Sequence, residues 1–105
     1  MNPRPWRPAV ELEAALDRGD LRYAVALAEE LRAEGRPVPL AVACRCLPLI
    51  ARESPSEYDT WALRWLARWA RETPTATAER AAEIAAALAD LPAEPAAAEA
   101  LRGML

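Results

Sequence analysis

The residues best equipped for chemistry in this chain are two cysteines, Cys44 and Cys46, and one acidic pair, Glu57 and Asp59. A nucleophilic cysteine needs a base or a cation beside it to hold the thiolate. The chain has no histidine and no lysine, so the commonest general base and the Schiff-base amine are both missing. On a helix, residues two apart point about 200° from each other. Cys44 and Cys46 are therefore expected to stay unbonded, as buried free thiols. Two cysteines without histidine make no zinc site, and carboxylate-bridged metal sites in bundles draw on Glu-x-x-His. Gly19, Gly35 and Gly103 stand singly, which leaves no glycine-rich phosphate loop. Glu57 and Asp59 read as capping and helix-dipole charges. No catalytic, cofactor-binding or metal-binding residue is assigned, the chain is not read as an enzyme, and no small-molecule substrate is evident.

What remains is the chemistry of recognition. Three of the four tryptophans, Trp61, Trp65 and Trp69, fall within one stretch together with Arg64, Arg68 and Arg71. Tryptophan and arginine dominate the energetics of protein interfaces. On a helical wheel, Tyr58 and the three indoles share an arc, and Ala62, Leu63, Leu66 and Ala70 extend it. An arc this wide predicts a helix packed on two sides. The indole edge, bordered by arginine, is the candidate partner surface: Trp61, Arg64, Trp65, Arg68 and Arg71. Residues four apart drift by about 40° per step, so the three indoles cannot share one seam. Trp65 and Trp69 are expected to be largely buried and Trp61 to be the most exposed.

This helix must be started, stopped and flanked. Ser54 and Glu57 stand three apart with Pro55 between them, which predicts a capping box and a helix beginning at Pro55. Pro74 pushes Thr73 out of the α region and ends the helix near Glu72. Before it, a helix is expected over about Ala9 to Arg18, with Val10, Leu12, Ala15 and Leu16 inward. Gly19 closes it. Asp20 caps a second helix over Leu21 to about Glu34, striped by Leu21, Ala24, Val25, Ala28 and Leu31 and widened by Tyr23 and Leu27. Gly35 and Pro37 end that helix. A third runs over about Leu40 to Glu53, kinked at Pro48, and is expected to be the most buried. A fifth spans about Ala76 to Asp90, capped by Thr75 or Thr77, with Ala81, Ile84, Ala85, Leu88 and Leu91 inward. A sixth covers about Pro95 to Gly103 and carries Leu101, with Met104 beyond it. Residues 1–8, with Pro3, Pro5 and Pro8, read as an extended arm whose Trp6 docks on the body. No segment alternates with a period of two, so no strand is expected.

Composition bounds the remainder. At 105 residues and 53% hydrophobic, the chain is one small domain, residues 9–105, with ample material for a core. All 13 basic residues are arginine, and alanine is abundant, a pattern of GC-rich codons that points to a high-GC bacterium. Arginine content is thus a poor sign of nucleic-acid binding, and the net charge of −3 argues against it. Residues 11–34 are acidic, 36–71 are arginine-rich, and the last third is acidic again. No signal peptide or membrane-spanning run is expected, and free thiols fit a reducing cytoplasm.

Pro37, Pro55, Pro74 and Pro92 recur at intervals of 18, 19 and 18 residues, so a pair of helices repeats every 37. Such periods mark stacked helical hairpins. The run Ala14-Ala15-Leu16, Gly19-Asp20-Leu21, Ala24, Leu27, Leu31 and Pro37 resembles the middle and end of a tetratricopeptide repeat, over residues 14–37. That resemblance implies helical hairpins and a groove for a peptide or protein. The lysine and asparagine clamp of peptide-binding members has no counterpart here, since there is no lysine and Asn2 is the only asparagine. The expected fold is therefore all-α, a compact array of five or six antiparallel helices, either a short tetratricopeptide-like array or a bundle. The expected function is a small cytoplasmic protein–protein interaction module, with a protein partner or self-association and no cofactor. The alternative is a small DNA-binding or regulatory protein using Arg64, Arg68 and Arg71.

Overall fold

The computed structural model describes residues 8–105. They are helical, with no strand among them. The expected arm, with the docking of Trp6, lies outside the described residues except at its last position. Pro8 is not arm but the first residue of a helix, where its missing N–H has no partner to lose. The chain divides into two units, one ending at Pro39 and the other spanning Leu40–Leu105.

The first unit is a helical hairpin of α1 (Pro8–Arg18) and α2 (Leu21–Ala33). Pro8, Leu12, Ala15 and Leu16 form the buried line of α1 at i, i+4, i+7 and i+8. Val10 does not join them and is 48% exposed. It lies two residues from Leu12, and so about 200° around the helix. Gly19 takes φ +73°, and the chain reverses in a Schellman motif: Gly19 N–H donates to the Leu16 carbonyl and Asp20 N–H to that of Ala15. Asp20 then caps α2, accepting from the Tyr23 amide at 3.2 Å. Along α2 the buried line is Ala24, Leu27 and Leu31. Tyr23 turns outward, with the Arg18 guanidinium 5.9 Å from its ring centroid. Gly35, again at φ +73°, repeats the Schellman closure through Gly35 N–H to Arg32 and Arg36 N–H to Leu31.

The second unit begins with the helix expected over Leu40 to Glu53, which is in fact two: α3 (Leu40–Cys44) and α4 (Cys46–Glu53). Pro48 explains the break. Its ring excludes the carbonyl of Cys44, four residues back, and it has no N–H to offer that carbonyl. The chain therefore turns at Arg45, whose amide makes a tighter bond to Val42, and α4 starts afresh with Pro48 in its first turn, where proline is tolerated. Cys44, Leu47 and Ile50 are buried, and only Ala41, Arg52 and Glu53 of this stretch are exposed.

The capping box at Ser54 does not form. Pro55–Glu57 is a 3-10 turn, and the α-helix α5 begins at Tyr58 (Tyr58–Glu72). The amide of Glu57 is already bonded to the backbone carbonyl of Ser54 at 2.9 Å, so the serine hydroxyl has no donor to cap. Ser54→Ala should accordingly change stability by less than about 0.5 kcal/mol. A working cap would cost more on removal, and a clear drop in melting temperature would show that the hydroxyl does bond. The end of α5 is as expected: Thr73 is extended at φ −106°, ψ 105° ahead of Pro74.

Thr77 caps α6 (Ala78–Asp90), accepting from the Arg80 amide at 3.1 Å. Ile84 and Leu88 are its buried line, continued by Leu91 just past its end, and Leu101 of the short α7 (Ala97–Gly103) is fully enclosed. One long-range bond ties α5 to α6. The Tyr58 hydroxyl donates to the Leu88 carbonyl at 2.5 Å. In an unbroken helix that carbonyl would accept from residue 92, but Pro92 has no N–H. The phenol supplies the missing donor, and burial, with the nearby Asp59 charge, pushes its pKa up to about 12. Tyr58→Phe should cost about 1–3 kcal/mol, the penalty of an orphaned buried acceptor. A urea midpoint equal to wild type would mean that another donor reaches Leu88.

Candidate partner surface

The buried line of α5 is Tyr58, Ala62, Trp65 and Trp69. Each lies three or four residues from the next, which holds them within one narrow stripe. Trp65 is 4% exposed and Trp69 3%. The Trp65 indole N–H donates to the Leu40 carbonyl at 3.0 Å, so its one polar atom is satisfied inside the unit. Trp65 thus leaves the candidate surface and becomes the support behind it.

Trp61 is half-buried, at the border of the stripe. The Arg64 guanidinium sits over its ring, 5.9 Å from the centroid, within cation–π range. Arg64 and Arg71 are exposed. Arg68 is held back: it pairs with Glu72 through two contacts of 2.5 and 3.4 Å, with its side chain 21% exposed. The structure thus brings Trp61 and Arg64 together, with Arg68 and Arg71 continuing the same side of the helix at i+4 and i+7 from Arg64. Arg68 arrives neutralised.

α5 packs against α3 and α4 and against α6, but the expected apolar arc is not covered to its far edge. Leu63 is 65% exposed, and Ala67 and Ala70 are exposed with it. Leu63 lies about 160° from Trp65 around the helix. A wheel centred on the tryptophans, not on every apolar residue, would have found this outer face.

The groups considered for chemistry are placed without partners for it. Both cysteines are free. Cys44 ends α3, and burial raises its pKa to about 11 although Arg102 acts to lower it. The thiol is therefore held protonated, the unreactive form. Cys46 is half-buried, where the sequence suggested full burial, and is likewise raised by burial against a lowering influence of Arg45. A small cleft of about 150 Å³ beside Cys44 is lined by Arg45, Pro48, Ala98 and Arg102. A larger one of about 500 Å³ lies along the Thr73–Thr77 joint, with Leu40, Trp69 and Met104 among its walls. Its one lining cation, Arg80, is paired with Glu83 at 3.0 Å. Glu57, expected to complete a capping box, is exposed and caps nothing. Among the described residues, no group of three or more Cys, Asp or Glu side chains could hold a metal ion. None of their helices is long and apolar enough to cross a membrane.

Comparison with protein-family models, with curated proteins and with solved structures finds no match to this chain.

Proposed function

We propose that this chain is a small helical interaction module that engages a protein partner through the Trp61 edge of α5. One observation carries this reading. Of three indoles on one helix, two are enclosed, while the third stays half-exposed beneath an arginine. A wide, rigid indole beside exposed guanidinium groups is the composition of an interface hot spot. Exposed Arg64 and Arg71 suit a partner that presents carboxylates next to an apolar side chain. The tetratricopeptide-like pattern over residues 14–37 supports the same class of function, since members of that family bind peptides or proteins. Free Cys44 and Cys46 support a reducing cytoplasm as its compartment.

The DNA-binding alternative uses the same arginines. It is weakened by the pairing of Arg68 with Glu72 and by the net charge of −3.

Trp61→Ala should leave the urea midpoint close to wild type and abolish retention of a partner that the wild-type chain captures. Pull-down with both proteins side by side, with and without nuclease treatment, reads the second effect. Capture lost on nuclease treatment would favour nucleic acid. A Trp61→Ala chain that unfolds would return Trp61 to the core and remove the reading.

A further inference from the structure

The outer face of α5 carries a row at i, i+4, i+8 and i+12: Asp59, Leu63, Ala67 and Arg71. All four are exposed, Leu63 at 65%. Asp59 and Arg71 make no ion pair among the described residues. Read from either end, the row is complementary to itself: an acid answers a base, and a large side chain answers a small one.

We infer that this row pairs with the same row of a second copy of this chain, antiparallel, about a two-fold axis level with Trp65. In that arrangement Asp59 of each copy meets Arg71 of the other, and Leu63 of each lies over the methyl of Ala67. A two-fold contact must be self-complementary in this sense, with residue i meeting j and j meeting i. Rows spaced by four are also the ridges that interlock in the commonest helix–helix packing, and a small residue opposite a large one lets two such ridges close. A row with like charges at its two ends would repel its own copy. The surface shares Arg71 with the heterologous partner edge but not Trp61 or Arg64, and Asp59, which lies off that edge, lets the two be tested separately. One helix face is less than a standard-size interface, so the dimer is weak and concentration-dependent.

The test uses the full chain in sedimentation equilibrium at concentrations up to about 1 mM, which detects dissociation constants of that order. Wild type should dimerise. Asp59→Arg and Arg71→Asp each set like charges across the interface, and each should weaken dimerisation by more than about tenfold. Mixing those two variants should restore a dimer, because Asp59→Arg supplies two arginines and Arg71→Asp supplies two aspartates. The Asp59→Arg/Arg71→Asp double variant should dimerise by itself. Circular dichroism of each variant shows whether it is folded. Rescue in the mixture cannot come from a folding defect. A wild-type chain that is monomeric at the highest concentration overturns the inference, as do single variants that dimerise like wild type and a mixture that fails to associate. Loss of dimerisation with Trp61→Ala, and not with these variants, would assign self-association to the indole edge instead.

Discussion

Trp69→Ala should destabilise the fold by about 3–5 kcal/mol, the cost of deleting a large aromatic from a packed interior. Its indole is 3% exposed, in line with Tyr58, Ala62 and Trp65. Its backbone also closes the helix, since the Trp69 carbonyl accepts from Thr73, the last bond before Pro74. Truncation therefore opens a void next to the point where the chain leaves α5. Urea denaturation followed by circular dichroism measures the loss. Trp61→Ala, on the same helix and of the same chemistry, is the internal control. Equal midpoints for the two variants would show that the three indoles are not graded from core to surface, and the division between support and contact would collapse.

Leu47→Ala should cost about 2–5 kcal/mol. Leu47 is 2% exposed in the first turn of α4, between the buried side chains of Cys44 and Ile50. The break at Arg45 leaves α3 only five residues long and α4 only eight. Helices so short are not stable by themselves and depend on the apolar contacts they make. Leu47→Met keeps the volume and should lose less than about 1.5 kcal/mol. If both variants unfold at the same urea concentration, the loss is not a cavity, and the burial of α4 contributes less than its place implies.

The features that could be read from the sequence are those decided within a few residues. Gly19-Asp20, Gly35-Pro37 and Thr73-Pro74 each fix the end of a helix through φ/ψ and bonds that never leave the local chain. The same holds for Thr77, whose hydroxyl needs only the amide three residues on. Ser54 shows the limit of this logic. Its spacing to Glu57 suits a capping box, yet a backbone carbonyl competes for the same amide and wins. Pro48 was legible as a disturbance but not as a full break, because the sequence does not say whether the freed Cys44 carbonyl can be tolerated within one helix. Exposure was harder. Val10, Tyr23 and Leu63 are apolar or aromatic and lie next to buried positions, and only the choice of stripe, made by packing, turns them outward. The bond from Tyr58 to Leu88 joins residues 30 apart and has no local signature. At the candidate surface, the order of the three tryptophans follows from helical drift together with the arginines that border Trp61. The capture of Arg68 by Glu72 is an i, i+4 contact that the spacing allows.

The grading of the three indoles has an optical consequence. One helix carries the same chromophore in two kinds of surroundings: Trp61 is half-buried beneath a guanidinium, while Trp65 and Trp69 are buried. In a Trp6→Phe chain, which removes the fourth tryptophan, a soluble quencher should dim the emission of Trp61 and leave that of the other two until the chain unfolds. The quenchable part of the helix's fluorescence then reports whether the Trp61 edge is covered. The protected part reports whether the fold is intact, so binding and unfolding can be followed separately in one cuvette without a dye.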